Sequence, residues 1–444
     1  MATIGTTRRF ASPLAGHTGS ISFLNNPKQR SYPLVAWMVL IGIFCPPIPI
    51  SLGDTSVTPG RMIVIMLIVP AVAVLLRKGR RSVPSDYFVV ATASWMIASS
   101  ALNDGFRPYV VAEALELAGA YFIGRAFFWG RPALETFIKV FKVITIAVIL
   151  LALLDTLSGR NVTLQSMGIE GEIPLTDTGR YRFGLVRASS TLLGGEQYGT
   201  FCAAALAILL YSGRNHIRYA VLTIFGCLLS LSSGPFLGMA IVIATSSYDR
   251  VLKRHSWRWK ALVGTIIGAI VVLNLVSNSP VSWLIRHLTL DPQTGFFRVV
   301  QWDHVLPLIG LSPILGYGFS PFYTLVDPQW RIYIGTSLDC VWLVEALRYG
   351  IPGVAFLLLS IFSSVIKKTS DLNVDPYMNN LRTGFSIAIM TFVLVGLTVH
   401  YWNNVWLFFH LCIGIRATFA ESSRSSPRNV PAGVKKGGAA LLSQ

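Results

Sequence analysis

The sequence predicts an all-α, polytopic integral membrane protein with about 12 transmembrane helices. Of its 444 residues, 53% are hydrophobic and only 13% are charged, whereas a soluble domain carries about 25% charged residues. Apolar runs of roughly 17 to 25 residues recur along the chain, and each is long enough to cross a hydrocarbon core about 30 Å thick. The runs are continuous rather than alternating, which excludes a closed β-barrel.

The long apolar stretch Tyr219–Tyr248 contains small and helix-breaking residues, Ser230 and Ser232–Pro235. Because proline after glycine breaks a helix, we predict two short helices that turn back at this Ser-Ser-Gly-Pro break. The other spans are predicted near Pro33–Leu52, Arg61–Leu76, Tyr87–Leu102, Tyr109–Phe128, Phe137–Leu157, Thr191–Tyr211, Ala261–Val276, Val341–Ile366, Thr383–Tyr401 and Val405–Phe419.

The formal net charge of +17 sets the topology of the chain. Basic residues cluster at the ends of spans, as in Arg77–Arg81, Arg214–Arg218 and Arg250–Lys260. This is the positive-inside pattern, and it places both termini in the cytoplasm. No recognition motif accompanies the charge, so nucleic acid is not an expected partner. We therefore predict a cytoplasmic N-terminal tail at residues 1–32, a transmembrane bundle at 33–419 and a disordered cytoplasmic tail at 420–444.

This topology leaves two long loops on the outer side, at about residues 158–190 and 277–338. Loops of this length are functional or disordered, and the aromatic residues of the second loop argue against disorder. The stretch Gly295–Gly353 is rich in charged residues although it lies between apolar segments. A site at the outer membrane surface is the expectation.

Several motifs in and around these loops resemble the O-antigen polymerase and O-antigen ligase superfamily, and most closely its exopolysaccharide polymerases. The resemblance covers roughly residues 180–397. The motifs are an Arg followed by a Trp (Arg298 and Trp302), a Pro-x-x-Gly-x-Gly turn (Pro313–Gly318), a short helix that ends in a glycine pair (Ser337–Gly353), an arginine segment (Arg187–Gly194) and the small-residue break (Ser230–Pro235).

The resemblance implies a membrane glycosyltransferase that joins undecaprenyl-diphosphate-linked oligosaccharide repeats into exopolysaccharide or O-antigen-type polysaccharide. The reaction would occur at the periplasmic face of the bacterial inner membrane, with the lipid bilayer, chain-length regulators and export proteins as further partners. The sequence contains no Asp-x-Asp pair, HExxH or nucleotide-binding loop, so a metal-independent enzyme without a cofactor is expected.

Arg187 and Arg298 are the candidates for holding the diphosphate, because the arginine fork bonds phosphate oxygens in pairs. The alternative is that they reach to lipid headgroups. The ligases of the superfamily carry a His-Asn pair where this chain has Asp339 and Cys340. Asp339 is therefore either a carboxylate base for the acceptor hydroxyl or a helix cap. Further candidates for substrate binding are Arg180, Arg182, Trp302, His304 and Trp342, although an interfacial aromatic belt would also explain the tryptophans.

Two other functions stay open. One is a ligase that transfers finished glycan to a lipid or protein acceptor, and the other is a transporter or flippase of lipid-linked glycan. A transporter would distribute its functional charges through the bundle, whereas here the distinctive residues concentrate in the outer loops. Glu113 and Glu116 lie inside a predicted span, where an internal ion pair is expected. Glu345 and Arg348 are three residues apart, which favours a local ion pair.

Overall fold

The computed structural model describes residues 31–52, 55–169, 181–213, 216–288, 292–320, 322–334, 338–366 and 375–422. Nearly all regular structure in these ranges is helical, which confirms the all-α prediction. The helices are α1 Pro33–Phe44, α2 Pro59–Leu75, α3 Pro84–Asp104, α4 Pro108–Phe127, α5 Arg131–Ser158, α6 Val162–Ser166, α7 Gly195–Leu210, α8 His216–Leu229, α9 Ser233–Val251, α10 Arg258–Val276, α11 Pro280–Leu288, α12 Pro292–Leu311, α13 Pro328–Ile334, α14 Val341–Val365, α15 Pro376–Val395 and α16 Asn403–Ser422. The strands form two hairpins, β1 Ile50–Leu52 with β2 Thr55–Val57 and β3 Tyr181–Arg182 with β4 Leu185–Val186, and a 3-10 turn spans Phe322–Leu325.

Four of the described helices are long and apolar enough to cross a membrane, namely α5, α10, α14 and α15. Three more apolar helices, α1, α2 and α8, are shorter. Many helices begin at a proline, which has no N–H to leave unpaired in the first turn. The protein is therefore a helical membrane protein, and the count of about 12 spans stays a prediction.

The Ser-Ser-Gly-Pro break separates α8 from α9, and Leu231 within it has a φ of 45°. The end of α8 packs on the start of α7, where the Cys227 thiol lies 3.7 Å from the Gly199 carbonyl. The end of α9 lies beside the end of α7, where the Tyr211 hydroxyl donates to Asp249 over 2.9 Å. The two helices thus run in opposite directions and turn back at the break, as the sequence predicts.

The described part of residues 277–338, which the sequence predicts to be the second outer loop, is largely helical; we call it the second outer segment after that prediction. Helices α11, α12 and α13 occupy most of its described residues. Each begins at a proline, Pro280, Pro292 or Pro328. This helix-start signal is present in the sequence, but the high content of charged residues obscures it. The segment is a folded layer that holds side chains in fixed places.

The Pro-x-x-Gly-x-Gly turn docks on a break in α14. Gly350 has a φ of 69° and interrupts the helical backbone. Three backbone hydrogen bonds join the two segments: Tyr317 N–H to Leu347 C=O at 2.7 Å, Gly318 N–H to Arg348 C=O at 3.0 Å, and Ile351 N–H to Pro313 C=O at 2.7 Å. The first leg of α14, residues 341–349, is thereby fixed against the second outer segment.

Replacing Gly350 with alanine is expected to destabilise the protein by roughly 2–4 kcal/mol. A Cβ at this position would overlap the Ile314 carbonyl, and the positive φ adds strain. The measurement is the unfolding temperature of purified protein in detergent. The matched control is Gly264→Ala, since no atom lies within 4 Å of a Cβ at that helical glycine. Equal unfolding temperatures for the two variants would contradict this account of the turn.

Buried ion pairs connect helices within the bundle, as expected for Glu113 and Glu116. Arg61 donates to Glu116 over 2.8 Å, and Arg348 donates to Glu113 over 3.3 Å. The expected local pair between Glu345 and Arg348 is wrong, because the Arg348 guanidinium turns to the neighbouring helix α4. These pairs satisfy charges that would otherwise be costly inside a membrane.

A further buried ion cluster ties the end of the last helix to the first half of the chain. Arg125 is fully buried and bonds Asp86 at 3.1 Å and also Glu421. Arg80 donates to the same Glu421 carboxylate over 2.9 Å. Helix α16 reaches Ser422, so Glu421 belongs to the packed bundle although the sequence analysis begins the tail at residue 420.

Candidate active site

The arginine segment that carries Arg187 is anchored by a buried aspartate. Asp155, at the end of α5, accepts hydrogen bonds from Val162 N–H at 2.9 Å and from Ser190 N–H at 2.7 Å. The hydroxyl of Ser190 in turn donates to the Val148 carbonyl. These bonds join the two ends of the predicted first outer loop. They fix the backbone next to Arg187 and so limit the positions that its guanidinium can occupy.

Arg187 meets the helix break and the start of α7. Its Nη2 lies 3.0 Å from Glu196 Oε2 and 3.1 Å from Ser232 Oγ. Arg182 reaches the same break, donating from Nη1 to the Leu231 carbonyl over 2.8 Å. Two arginines of the first outer loop are thus fixed at the Ser-Ser-Gly-Pro break.

Arg298 approaches the same break from α12. It is 8% exposed, and its Nη1 lies 3.5 Å from Ser233 Oγ. Its Nε lies 3.8 Å from the Asp339 carboxylate and makes no hydrogen bond among the described residues. Gln301, one turn further along α12, accepts a 2.9 Å hydrogen bond from the Asp339 N–H. The arginine motif and the start of α14 are therefore held together.

Three helices begin around this group. Gly195 opens α7 next to Ser230 of the break, and a Cβ on Gly195 would lie 2.9 Å from the Ser230 carbonyl. Val399 contacts the starts of both α9 and α14. A Cβ on Gly234 of α9 would lie 3.2 Å from the Val399 side chain. The Val399 carbonyl accepts a hydrogen bond from the Val341 N–H of α14. Helix N-termini carry partial positive charge. The combination with buried arginines is suited to an anion such as a diphosphate.

The Asp339 side chain is partly exposed beside Arg298. It is 49% exposed, yet desolvation by the surrounding protein raises the pKa of its carboxyl group. The positive charge of Arg298 lowers this pKa, the negative charge of Glu196 raises it further, and the positive charge of Arg187 lowers it. The N-cap residue of α14 is Cys340, without a side-chain cap bond, so the helix-cap alternative for Asp339 is not what the structure shows. The carboxylate is placed to accept a proton beside two cations.

The remaining predicted residues do not all join this pocket. The Trp302 indole donates to the Leu397 carbonyl at 3.1 Å, and the Trp342 indole donates to the Val393 carbonyl at 3.0 Å. These bonds anchor α12 and α14 to the end of α15. His304 stacks on Trp330, with ring centroids 4.4 Å apart. Arg180 lies outside the described residues.

Glu196 is a residue of this group that the sequence analysis missed. It is the one charged residue in the predicted span Thr191–Tyr211, and an ionisable residue inside a span is a functional candidate by default. The sequence alone could therefore have identified Glu196 as a candidate. The role of Asp155 as an anchor for the arginine segment could not be predicted, because the backbone N–H groups that it binds include one from a separate part of the chain.

The fold and the site define a multi-pass membrane protein whose arginines converge with a carboxylate at a cluster of helix starts. Residues 219–358 match the family model described as O-antigen ligase. This match confirms the resemblance to the O-antigen polymerase and ligase superfamily, and it indicates a glycan-processing protein of the bacterial inner membrane. The matched region contains the break, Arg298 and Asp339, whereas Arg187 precedes it. No curated protein matches the chain.

Proposed function

We propose that the protein polymerises undecaprenyl-diphosphate-linked oligosaccharide repeats at the periplasmic face of the inner membrane. The observation that carries the proposal is the convergence of Arg187, Arg298 and Asp339 at three helix starts. A lipid diphosphate is an anion at the membrane surface, and this pocket matches its charge. The family description supports the class of reaction.

In the proposed step, an acceptor sugar hydroxyl attacks the anomeric carbon of the lipid-linked glycan. The new glycosidic bond forms as the bond between that carbon and the diphosphate oxygen breaks. Asp339 accepts the hydroxyl proton, and undecaprenyl diphosphate leaves with the bonding electron pair. Arg187 and Arg298 stabilise the negative charge that develops on the leaving group. Preorganised charge of this kind is often the largest catalytic contribution.

The experiment is turnover in nanodiscs, with the repeat unit of the protein's own pathway linked to undecaprenyl diphosphate as both donor and acceptor. A ladder of longer lipid-linked glycans supports polymerisation. Transfer to a lipid or protein acceptor without a ladder supports the ligase reaction instead, which the description of the matched family as O-antigen ligase favours. Movement of the labelled lipid across the bilayer without elongation would support the transporter reading and contradict both.

The pH dependence of turnover is expected to shift when Glu196 is replaced with glutamine. A base must be deprotonated, so activity falls as the pH drops through the pKa of Asp339. The Glu196 charge raises that pKa, so removing it lowers the pKa and moves the acid limb of the profile to lower pH. The check is a pH–rate profile at saturating donor. Glu135→Gln, in an exposed surface pair, is the control, and an acid limb that stays or moves upward would contradict the assignment.

A further inference from the structure

A group of basic side chains lies where α9 ends and α10 begins. Helix α9 starts in the Ser-Ser-Gly-Pro break and ends at Val251. Its 19 residues correspond to about 28 Å at the rise of an α-helix, which is close to the thickness of a hydrocarbon core, about 30 Å. The segment 250–260, which we call the basic turn, therefore lies about one membrane thickness away from the arginine pocket. It has no part in the proposed transfer step.

Side-chain bonds hold the basic turn in one conformation. Arg258, at the start of α10, donates from Nε to Asp249 over 2.8 Å and from Nη1 to the Lys253 carbonyl over 3.0 Å. The Tyr248 hydroxyl donates to the Arg258 carbonyl over 2.8 Å. Asp249 is held from its other side by the Tyr211 hydroxyl. These bonds fix the backbone between the two helices, and they pair the negative charge next to the turn with Arg258.

The other Lys and Arg side chains of the basic turn are exposed, namely those of Arg250, Lys253, Arg254 and Lys260. Their charged groups make no hydrogen bond or ion pair with the residues that the structure describes. The basic cluster at Arg77–Arg81 differs, because Arg80 is bonded to Glu421 inside the bundle. The basic turn thus presents its positive charges to the surroundings of the protein and not to the protein itself.

Helix α10, which follows the basic turn, provides the apolar surface next to these charges. It is long and apolar enough to cross a membrane, yet none of its residues is buried. In α5, α14 and α15, the other described helices of this kind, between 39% and 50% of the most apolar stretch is buried. In a bilayer, acyl chains fill the surface of α10, and the headgroups of the same lipids reach the basic turn at its start.

An exposed tryptophan indicates the depth of the basic turn in the bilayer. Trp257 is 51% exposed, and its ring centroid lies 5.3 Å from that of His255. Tryptophan is enriched where the hydrocarbon core meets the headgroups, so the charges of the turn lie at the level of the lipid phosphates. Basic segments next to a membrane helix attract lipids with a net negative charge. An anionic phospholipid therefore matches both the charge and the apolar surface.

We propose that the basic turn binds the headgroup of an anionic phospholipid, whose acyl chains lie along α10. Lys253 and Arg254 donate to the phosphate oxygens, and Lys260 in the first turn of α10 adds a third cation. Arg258 is not a ligand, because its donors hold the turn. The site is separate from the proposed diphosphate site, which lies at the other end of α9, and it does not depend on the proposed function.

The test measures the binding of phosphatidylglycerol and of phosphatidylcholine to the purified full-length protein in detergent by native mass spectrometry. In the double variant Lys253→Ala with Arg254→Ala, the affinity for phosphatidylglycerol is expected to fall on the order of 25-fold, since each basic residue near an anionic surface contributes about a factor of five. The affinity for phosphatidylcholine should not change. The matched control is Arg77→Ala with Lys78→Ala, which removes two exposed cations at the end of α2.

Thermal unfolding provides a second readout. Phosphatidylglycerol is expected to raise the unfolding temperature of the wild type and of the control more than that of the double variant, because a ligand of the folded state stabilises it. Equal losses of phosphatidylglycerol affinity in the double variant and in the control would overturn the site, since the charge would then act without regard to position. A loss of affinity for undecaprenyl diphosphate, with phosphatidylglycerol binding unchanged, would also overturn it.

Discussion

Replacing Arg298 with alanine is expected to lower turnover on the order of 10²- to 10³-fold, the cost of removing one preorganised group that stabilises developing charge. Arg298 is buried, lies next to the start of α9, and has an Nε without a hydrogen-bond partner among the described residues. Its guanidinium is therefore available to the diphosphate. Lysine should restore little activity, because an ammonium group cannot form the paired bonds of the arginine fork.

The control for this variant is Arg286→Ala. Arg286 belongs to the same outer segment but is exposed, so its loss should leave turnover nearly unchanged. The readout is the initial rate of glycan elongation, with equal amounts of protein in the membrane. Equal rates for the two variants would show that Arg298 serves the lipid headgroups and not the reaction.

Replacing Asp339 with asparagine is expected to lower turnover about 10²- to 10⁴-fold, the usual contribution of general acid–base catalysis. Asparagine keeps the shape of the side chain and caps helices as well as aspartate does. A purely structural Asp339 would therefore tolerate the change. Glutamate retains the carboxylate on a side chain that is one methylene longer, and this variant should keep more activity than the asparagine variant. Wild-type rates in the asparagine variant would remove Asp339 from the mechanism.

The sequence predicts Arg187, Arg298 and Asp339 as site residues because they lie in motifs with a fixed order, whereas Glu196 lies outside those motifs. Arg187, Arg298 and Asp339 come from three separate segments, and the predicted topology places all three segments on one side of the membrane. In the structure, Arg187 contacts Ser232 of the break, Arg298 contacts Ser233, and Asp339 lies 3.8 Å from Arg298. Arg182 also reaches the break, whereas Trp302 and Trp342 serve as anchors between helices.

Other features could not be read from the sequence. The docking of Pro313–Gly318 on the Gly350 break depends on backbone hydrogen bonds between distant segments, and backbone groups carry no sequence signal. The partner of Arg348 was predicted wrongly because helical spacing reports neighbours on the same helix, whereas Glu113 lies on another.

The most direct measurement is the release of undecaprenyl diphosphate during glycan elongation by the wild-type protein and by Arg298→Ala. The account predicts one undecaprenyl diphosphate released for each glycosidic bond formed by the wild type, and both products formed on the order of 10²- to 10³-fold more slowly by the variant. Elongation that continues unchanged in the variant would contradict the assignment of the diphosphate site. Lipid movement across the bilayer without release of undecaprenyl diphosphate would contradict glycosyl transfer itself.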